Sequence, residues 1–168
     1  SRDEALVLPD KYILFFGTLK KYKGLNVLFD AITKYNTLPS NVKCVVAGAG
    51  YDETFELMKQ DDRFVCIQKR LSNAELVRLI SDAIFVVTPY LTMSQSEIPQ
   101  TVFVYNKPII ASDLKGFTEL LDDTNSLIFE TENSAELSNN IYKLLQDETL
   151  YKTLEAGIMQ FSHSSSPY

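Results

Sequence analysis

The sequence predicts an α/β protein: a doubly wound parallel sheet of about six strands with helices on both faces. Three observations predict it. Short apolar runs recur at intervals of roughly 20 to 30 residues, segments with helical periodicity lie between them, and capping signals open some of those segments.

The apolar runs are residues 12–16, 42–47, 64–67, 84–88, 108–112 and 126–129. Most are rich in Val, Ile and Phe and are bounded by Gly, Pro, Asn or Asp. None alternates strictly between apolar and polar, which suits strands covered on both faces, as in a parallel sheet. Between them, Leu25, Leu28, Phe29 and Ile32 fall at i, i+3, i+4 and i+7, and Leu76, Leu79, Ile80 and Ala83 repeat the pattern. Ser72-x-x-Glu75 reads as a capping box opening the second of these helices, and Asn133-x-x-Glu136 opens a later one. Leu137, Ile141, Leu144 and Leu145 form a further stripe, followed by Leu150, Leu154 and Ile158. Residues 1–10 are polar and linker-like, residues 11–161 form the domain, and residues 162–168 carry too little apolar content to pack and read as a frayed or truncated tail.

Composition removes several function classes. Sixteen Lys and Arg against 22 Asp and Glu give a net charge of −6, so a general nucleic-acid binder is excluded. No apolar run approaches the roughly 18 residues of a membrane span, and the polar start has no signal-peptide layout, which points to the cytoplasm. Cys44 and Cys66 form no CxxC and read as reduced, buried thiols. The single histidine, His163, lies in the tail, which disfavours a Ser-His-Asp hydrolase, and no His/Cys/Asp cluster has metal-ligand spacing.

In an open α/β sheet, ligands bind beyond the carboxyl ends of the strands. After the first strand comes Gly17-Thr18-Leu19-Lys20-Lys21-Tyr22-Lys23-Gly24. A Gly there lets backbone approach a ligand, and lysines ahead of a helix suit a phosphate. A solvated lysine-rich turn is the bland reading of the same residues, and the segment is not a P-loop. Gly48-Ala49-Gly50 follows the second strand as a bare GxG, which is also compatible with an ordinary tight turn. Lys69 and Arg70 add cations after the third. The hydroxyl- and amide-rich segment Pro89-Tyr90-Leu91-Thr92-Met93-Ser94-Gln95-Ser96-Glu97 follows the fourth, suited to sugar or phosphate oxygens or to a self-capping turn.

Taken in order, these pieces resemble the C-terminal, Rossmann-like, donor-binding domain of GT-B glycosyltransferases of the retaining group 1 (family 4-like) set. The matching residues are Ile13-Leu14-Phe15-Phe16-Gly17 with Lys23-Gly24, then Val45-Val46-Ala47-Gly48-Ala49-Gly50. Next come Leu71-Ser72-x-x-Glu75-Leu76 and Asp82-Ala83-x-Phe85-Val86-Val87-x-Pro89. The last are Asn106-Lys107-Pro108-Ile109-Ile110-Ala111-Ser112 and Gly116-x-x-Glu119-Leu120-Leu121. The resemblance runs from about Tyr12 to Asp147.

The resemblance implies a nucleoside diphosphate sugar as donor substrate, with no cofactor and no metal. It implies that Gly17 and Lys23 lie at the diphosphate and Lys69 and Arg70 near the nucleobase, with Thr18, Gly48 and Gly50 counted among the donor-binding residues. Ser94, Gln95, Ser96, Glu97 and Thr101 would meet the sugar and phosphate. It further implies a partner, an N-terminal acceptor-binding domain outside this chain, with peripheral membrane association through that domain. The sugar would pass to a glycan or lipid-linked acceptor, as in cell-surface polysaccharide synthesis.

The chain departs from the family pattern at several positions. Thr18 stands where Arg or Lys is common, and Met93 and Thr101 stand where a pair of glutamates is common. Ser94-Gln95-Ser96-Glu97 is similar to a Thr-Gln-Ser-Gly variant with Glu in the last place, so Glu97 reads either as a displaced sugar-binding carboxylate or as a helix-start acid. Asn125-Ser126 replaces the usual Asn-Gly. Two readings therefore stand: a donor-binding enzyme domain, and a degenerate GT-B domain serving as an interaction or scaffold module.

Overall fold

The computed structural model describes residues 5–93 and 96–164, the side chains of 162–164 excepted. Six parallel strands form one sheet: β1 (Tyr12–Phe16), β2 (Lys43–Gly48), β3 (Phe64–Gln68), β4 (Val86–Thr88), β5 (Ile109–Ser112) and β6 (Ser126–Phe129). Their order across the sheet is β3-β2-β1-β4-β5-β6. All five residues of central β1 are buried, so that strand is covered on both faces, as its unbroken apolar run requires. The two edge strands β3 and β6 are only partly covered.

Among the described residues, seven α-helices accompany the sheet: α1 (Leu25–Thr33), α2 (Glu53–Met58), α3 (Asn73–Asp82), α4 (Ile98–Phe103), α5 (Lys115–Thr118), α6 (Ser134–Gln146) and α7 (Glu148–Ser164). The chain moves outward from β1 through β2 to β3, then crosses back to β4 and moves the other way. Right-handed crossovers put helices from the two directions on opposite faces. Accordingly α1 packs beside α2 and α6, whereas α4 packs beside α7. The predicted capping box is present: Ser72 Oγ accepts from Glu75 N–H at 3.1 Å and Glu75 Oε1 accepts from Ser72 N–H at 3.0 Å. Asn133 Oδ1 accepts from Glu136 N–H at 2.9 Å and caps α6 in the same way.

Several details differ from the sequence expectation. The segment 162–168, expected as a frayed or truncated tail, is helical as far as Ser164. The last turns of α7 are anchored by Phe161, whose ring meets Phe103 of α4 edge-on at 5.0 Å. The linker-like start is docked rather than free over its described part: Leu6 and Leu8 pack against the core, and the Arg78 guanidinium donates to the Leu6 carbonyl. Cys44 is buried, but Cys66 on the edge strand is only half-buried, and both are free. Burial raises the Cys66 thiol to a pKa of about 11.

Two tyrosine hydroxyls tie helices to the sheet and its approaches. The Tyr12 hydroxyl donates to the Leu79 carbonyl of α3 at 2.6 Å, and Tyr151 of α7 donates to the Ile84 carbonyl. Gly157, inside α7, lets that helix press on the loop before β6. A Cβ there would stand 1.8 Å from the Thr124 carbonyl oxygen. In an exposed helix, Gly to Ala stabilises by about 1 kcal/mol. Here the sign should reverse: Gly157→Ala is expected to lower stability by about 1–3 kcal/mol through overpacking, read as a shifted urea midpoint.

Candidate functional site

Strands β1 and β4 are neighbours, and their onward connections leave in opposite directions, which opens a crevice at their carboxyl ends. Beyond β1 the chain turns at Gly17 (φ 127°), makes a 3₁₀ turn over Lys21–Lys23, and enters α1 through Gly24 (φ 73°). Beyond β4 it runs through Pro89, Tyr90 and Leu91. The two loops are stitched together. Leu91 N–H donates to the Tyr22 carbonyl at 2.7 Å, and the rings of Tyr22 and Tyr90 meet edge to face at 6.1 Å. A Cβ at position 24 would lie 1.9 Å from the Pro89 carbonyl oxygen, so both the positive φ and the contact require glycine.

Lys23 sits in this stitch and is 9% exposed. Its ammonium lies 5.7 Å from the ring centroid of Tyr90 and 6.0 Å from that of Tyr22. It folds back over Gly17, where an added Cβ would be only 2.9 Å from Nζ. Among the described residues it makes no ion pair. Burial, and then the nearby charge of Lys20, hold its pKa below the usual lysine value. A half-desolvated cation without a counter-ion is an unfavourable arrangement that a bound anion relieves.

The cation faces a cleft of about 490 Å³. Tyr22, Lys23, Tyr90, Thr92, Met93, Ser96 and Ile98 line it. Ser96 Oγ accepts from Ile98 N–H at 3.1 Å and holds the start of α4 at the cleft wall. Met93 covers Gly116, where an added Cβ would stand 3.1 Å from the Met93 Sδ. Next to the cleft, β1 and β2 end in close backbone contact. Gly17 N–H donates to the Ala47 carbonyl at 3.0 Å, and a Cβ on Gly48 would stand 1.7 Å from the Gly17 carbonyl oxygen. Gly50 pairs as an isolated parallel bridge with Leu19.

Residues 10–147 match the family model described as glycosyl transferases group 1. The chain belongs to the group 1 glycosyltransferases. It is 28% identical over 156 residues to the uncharacterized glycosyltransferase MJ1178 of Methanocaldococcus jannaschii, covering 91% of this chain and 43% of that protein. Its fold is that of Anabaena Alr3699/HepE, crystallised in complex with UDP and glucose, with a TM-score of 0.80 at 19% identity over 92% of this chain and 44% of that one. It is equally that of the C-terminal domain of the group 1 glycosyltransferase LpcC from Francisella tularensis, with a TM-score of 0.79 at 15% identity over 94% and 86% of the two chains. The chain thus spans less than half the length of the curated relative it matches.

Within this glycosyltransferase domain, those of the residues singled out in the sequence that the structure describes lie in the segments beyond the strands' carboxyl ends, but they do not all converge. Lys23 and Ser96 line the cleft, and Gly17 lies under the Lys23 ammonium. Thr18 is exposed beside it. Ser94 and Gln95 lie outside the described residues. Glu97 is exposed at the N-cap of α4, with no hydrogen bond from its side chain into the helix. Thr101 donates back to the Glu97 carbonyl at 3.1 Å, so its hydroxyl serves the helix rather than the cleft. Arg70 is exposed beyond β3. Tyr22, Tyr90, Thr92 and Met93 lie in the two loops that the sequence marked but were not assigned a donor contact one by one, and Ile98 is the lining residue outside those loops. The signal was an aromatic in each of the two loops that flank the order reversal.

Lys69 differs most from expectation. Its Nζ is 2.7 Å from Glu75 Oε2, so the carboxylate that completes the capping box also binds this cation. The Lys69 hydrogen bond and the bond from Ser72 N–H hold Glu75 below the usual carboxylate pKa. A depressed carboxylate contributes stability above its unfolded value, near 4.5, and loses that contribution as pH falls through the folded value. Glu75→Gln keeps the capping geometry but not the charge. Its melting temperature should lie below that of the parent at pH 7, and the gap should close as pH falls below 4.5.

Proposed function

We propose that the cleft between the β1 and β4 loops binds the diphosphate of a nucleoside diphosphate sugar, and that this chain is the donor-binding domain of a retaining glycosyltransferase. The observation that carries this reading is Lys23: a buried ammonium without an ion pair among the described residues, facing a cleft at the switch point of a group 1 domain. A diphosphate supplies the missing charge. During transfer, the leaving diphosphate gains negative charge, and a preplaced cation lowers the barrier by stabilising it there. The reading calls on no metal. The acceptor, a glycan or a lipid-linked sugar of cell-surface polysaccharide synthesis, would be held by a second domain, through which the protein would meet the membrane surface. Among the described residues, no helix of this chain is long and apolar enough to cross a membrane.

One observation favours a second reading. Neither residue standing where the family commonly has glutamates offers a carboxylate to the cleft: Met93 lines it with a thioether that packs on Gly116, and the Thr101 hydroxyl donates into its own helix. That arrangement suits a domain which binds a nucleotide without transferring sugar, or which serves as a scaffold.

Calorimetric titration with UDP, GDP, ADP and the matching monophosphates tests the binding site. Affinity should require the second phosphate, and Lys23→Ala should weaken it by about 1–3 kcal/mol, the scale of a charge-assisted contact. Equal binding by parent and Lys23→Ala would overturn the site. Diphosphate binding without sugar transfer by the intact protein, across UDP-, GDP- and ADP-sugars, would favour the second reading.

A further inference from the structure

We propose that Tyr90 is a positioning residue for Lys23: its ring, together with that of Tyr22, holds the ammonium over Gly17 in place of a carboxylate, leaving the charge available to an incoming diphosphate. The inference rests on the reading of the cleft as a diphosphate site. A lysine in a protein interior is ordinarily fixed by an acidic partner, and such a partner here would compete with the ligand. An aromatic face attracts the cation through its quadrupole but accepts none of its directed N–H bonds, so the donors stay free for phosphate oxygens. Both rings lie within the range of that attraction, at 5.7 and 6.0 Å.

Tyr90 is itself held in place. It is 4% exposed, and its ring packs on buried Phe117 at 5.4 Å. Its carbonyl accepts the Ser112 hydroxyl at 2.7 Å, which ties the loop beyond β4 to the end of β5. Among the described residues its own hydroxyl is buried and makes no hydrogen bond. No such bond among them orients the ring, and the ring face is what the arrangement uses. The charged group that acts on Lys23 in this setting is Lys20, which repels it, so the aromatic pair works against that repulsion.

A double-mutant cycle on the intact protein, titrated with UDP and with inorganic pyrophosphate, tests the proposal. Tyr90→Phe, which keeps the ring face, should bind both probes within about twofold of the parent. Tyr90→Leu should weaken both by about five- to thirty-fold, and should cause no further loss in a Lys23→Ala background. A loss of the same size in that background would mark Tyr90 as merely structural, and unchanged affinity in Tyr90→Leu would overturn its role outright. A loss in Tyr90→Phe equal to that in Tyr90→Leu would assign the effect to the hydroxyl and also overturn the proposal. If Tyr90→Leu fails to fold, Tyr22→Leu carries the test, because Tyr22 is 40% exposed and its replacement threatens the core little. A few-fold loss that vanishes without Lys23 is then the supporting result, and no loss is the contrary one. If Lys23→Ala itself binds both probes like the parent, the diphosphate reading falls and the inference with it. If Lys23→Ala loses affinity while the tyrosine variants do not, only the inference falls.

Discussion

Everything at the carboxyl edge of this domain depends on the pairing of β1 with β4. The two strands are parallel neighbours, yet the chain leaves one for α1 and the other for α4, on opposite faces of the sheet. No helix can close over the gap between those departures, and the two loops are left to meet across it. They meet by contacts that tolerate little change: the Gly24–Pro89 approach, the Leu91–Tyr22 hydrogen bond and the edge-to-face tyrosines. A local rule of chain handedness thus becomes a cleft of defined width.

The electrostatics follow from that geometry. The chain is acidic overall, and Lys23 is nevertheless placed where water is partly excluded and no carboxylate pairs with it among the described residues. By contrast, Lys69 at the end of β3 is neutralised by Glu75, a residue already committed to capping α3. Two lysines that look alike in the sequence therefore stand in different surroundings. One pairs with the carboxylate of a helix cap, and the other faces a cleft without an ion pair among the described residues. Unbalanced buried charge costs stability, and the rigid surroundings of Gly17, Tyr90 and Phe117 are what sustain it.

Features whose chemistry is complete within a few residues could be read from the chain directly. The Ser72–Glu75 capping box is one, and the buried five-residue run of β1 is another. The short helices α2 and α5, of six and four residues, are too brief for a hydrophobic period to show, and the sequence reading did not mark them. The extension of α7 to Ser164 escaped for a different reason. Its anchor is Phe103, which is remote in the chain, and the local composition carries no trace of that contact.

By itself the sequence determined the fold class, the six strands in order, the longer helices between and after them, and the set of strand-end loops that carry glycine, lysine and hydroxyl groups. These follow from periodicity, capping and turn chemistry, all of them short-range. Only the tertiary structure decided which of those loops meet. It put Tyr90 against Lys23, took Lys69 out of the free cations, and turned Thr101 back into its helix. Strand order is the physical reason: residues far apart in sequence become neighbours only once β1 and β4 are paired, and no local pattern encodes that pairing.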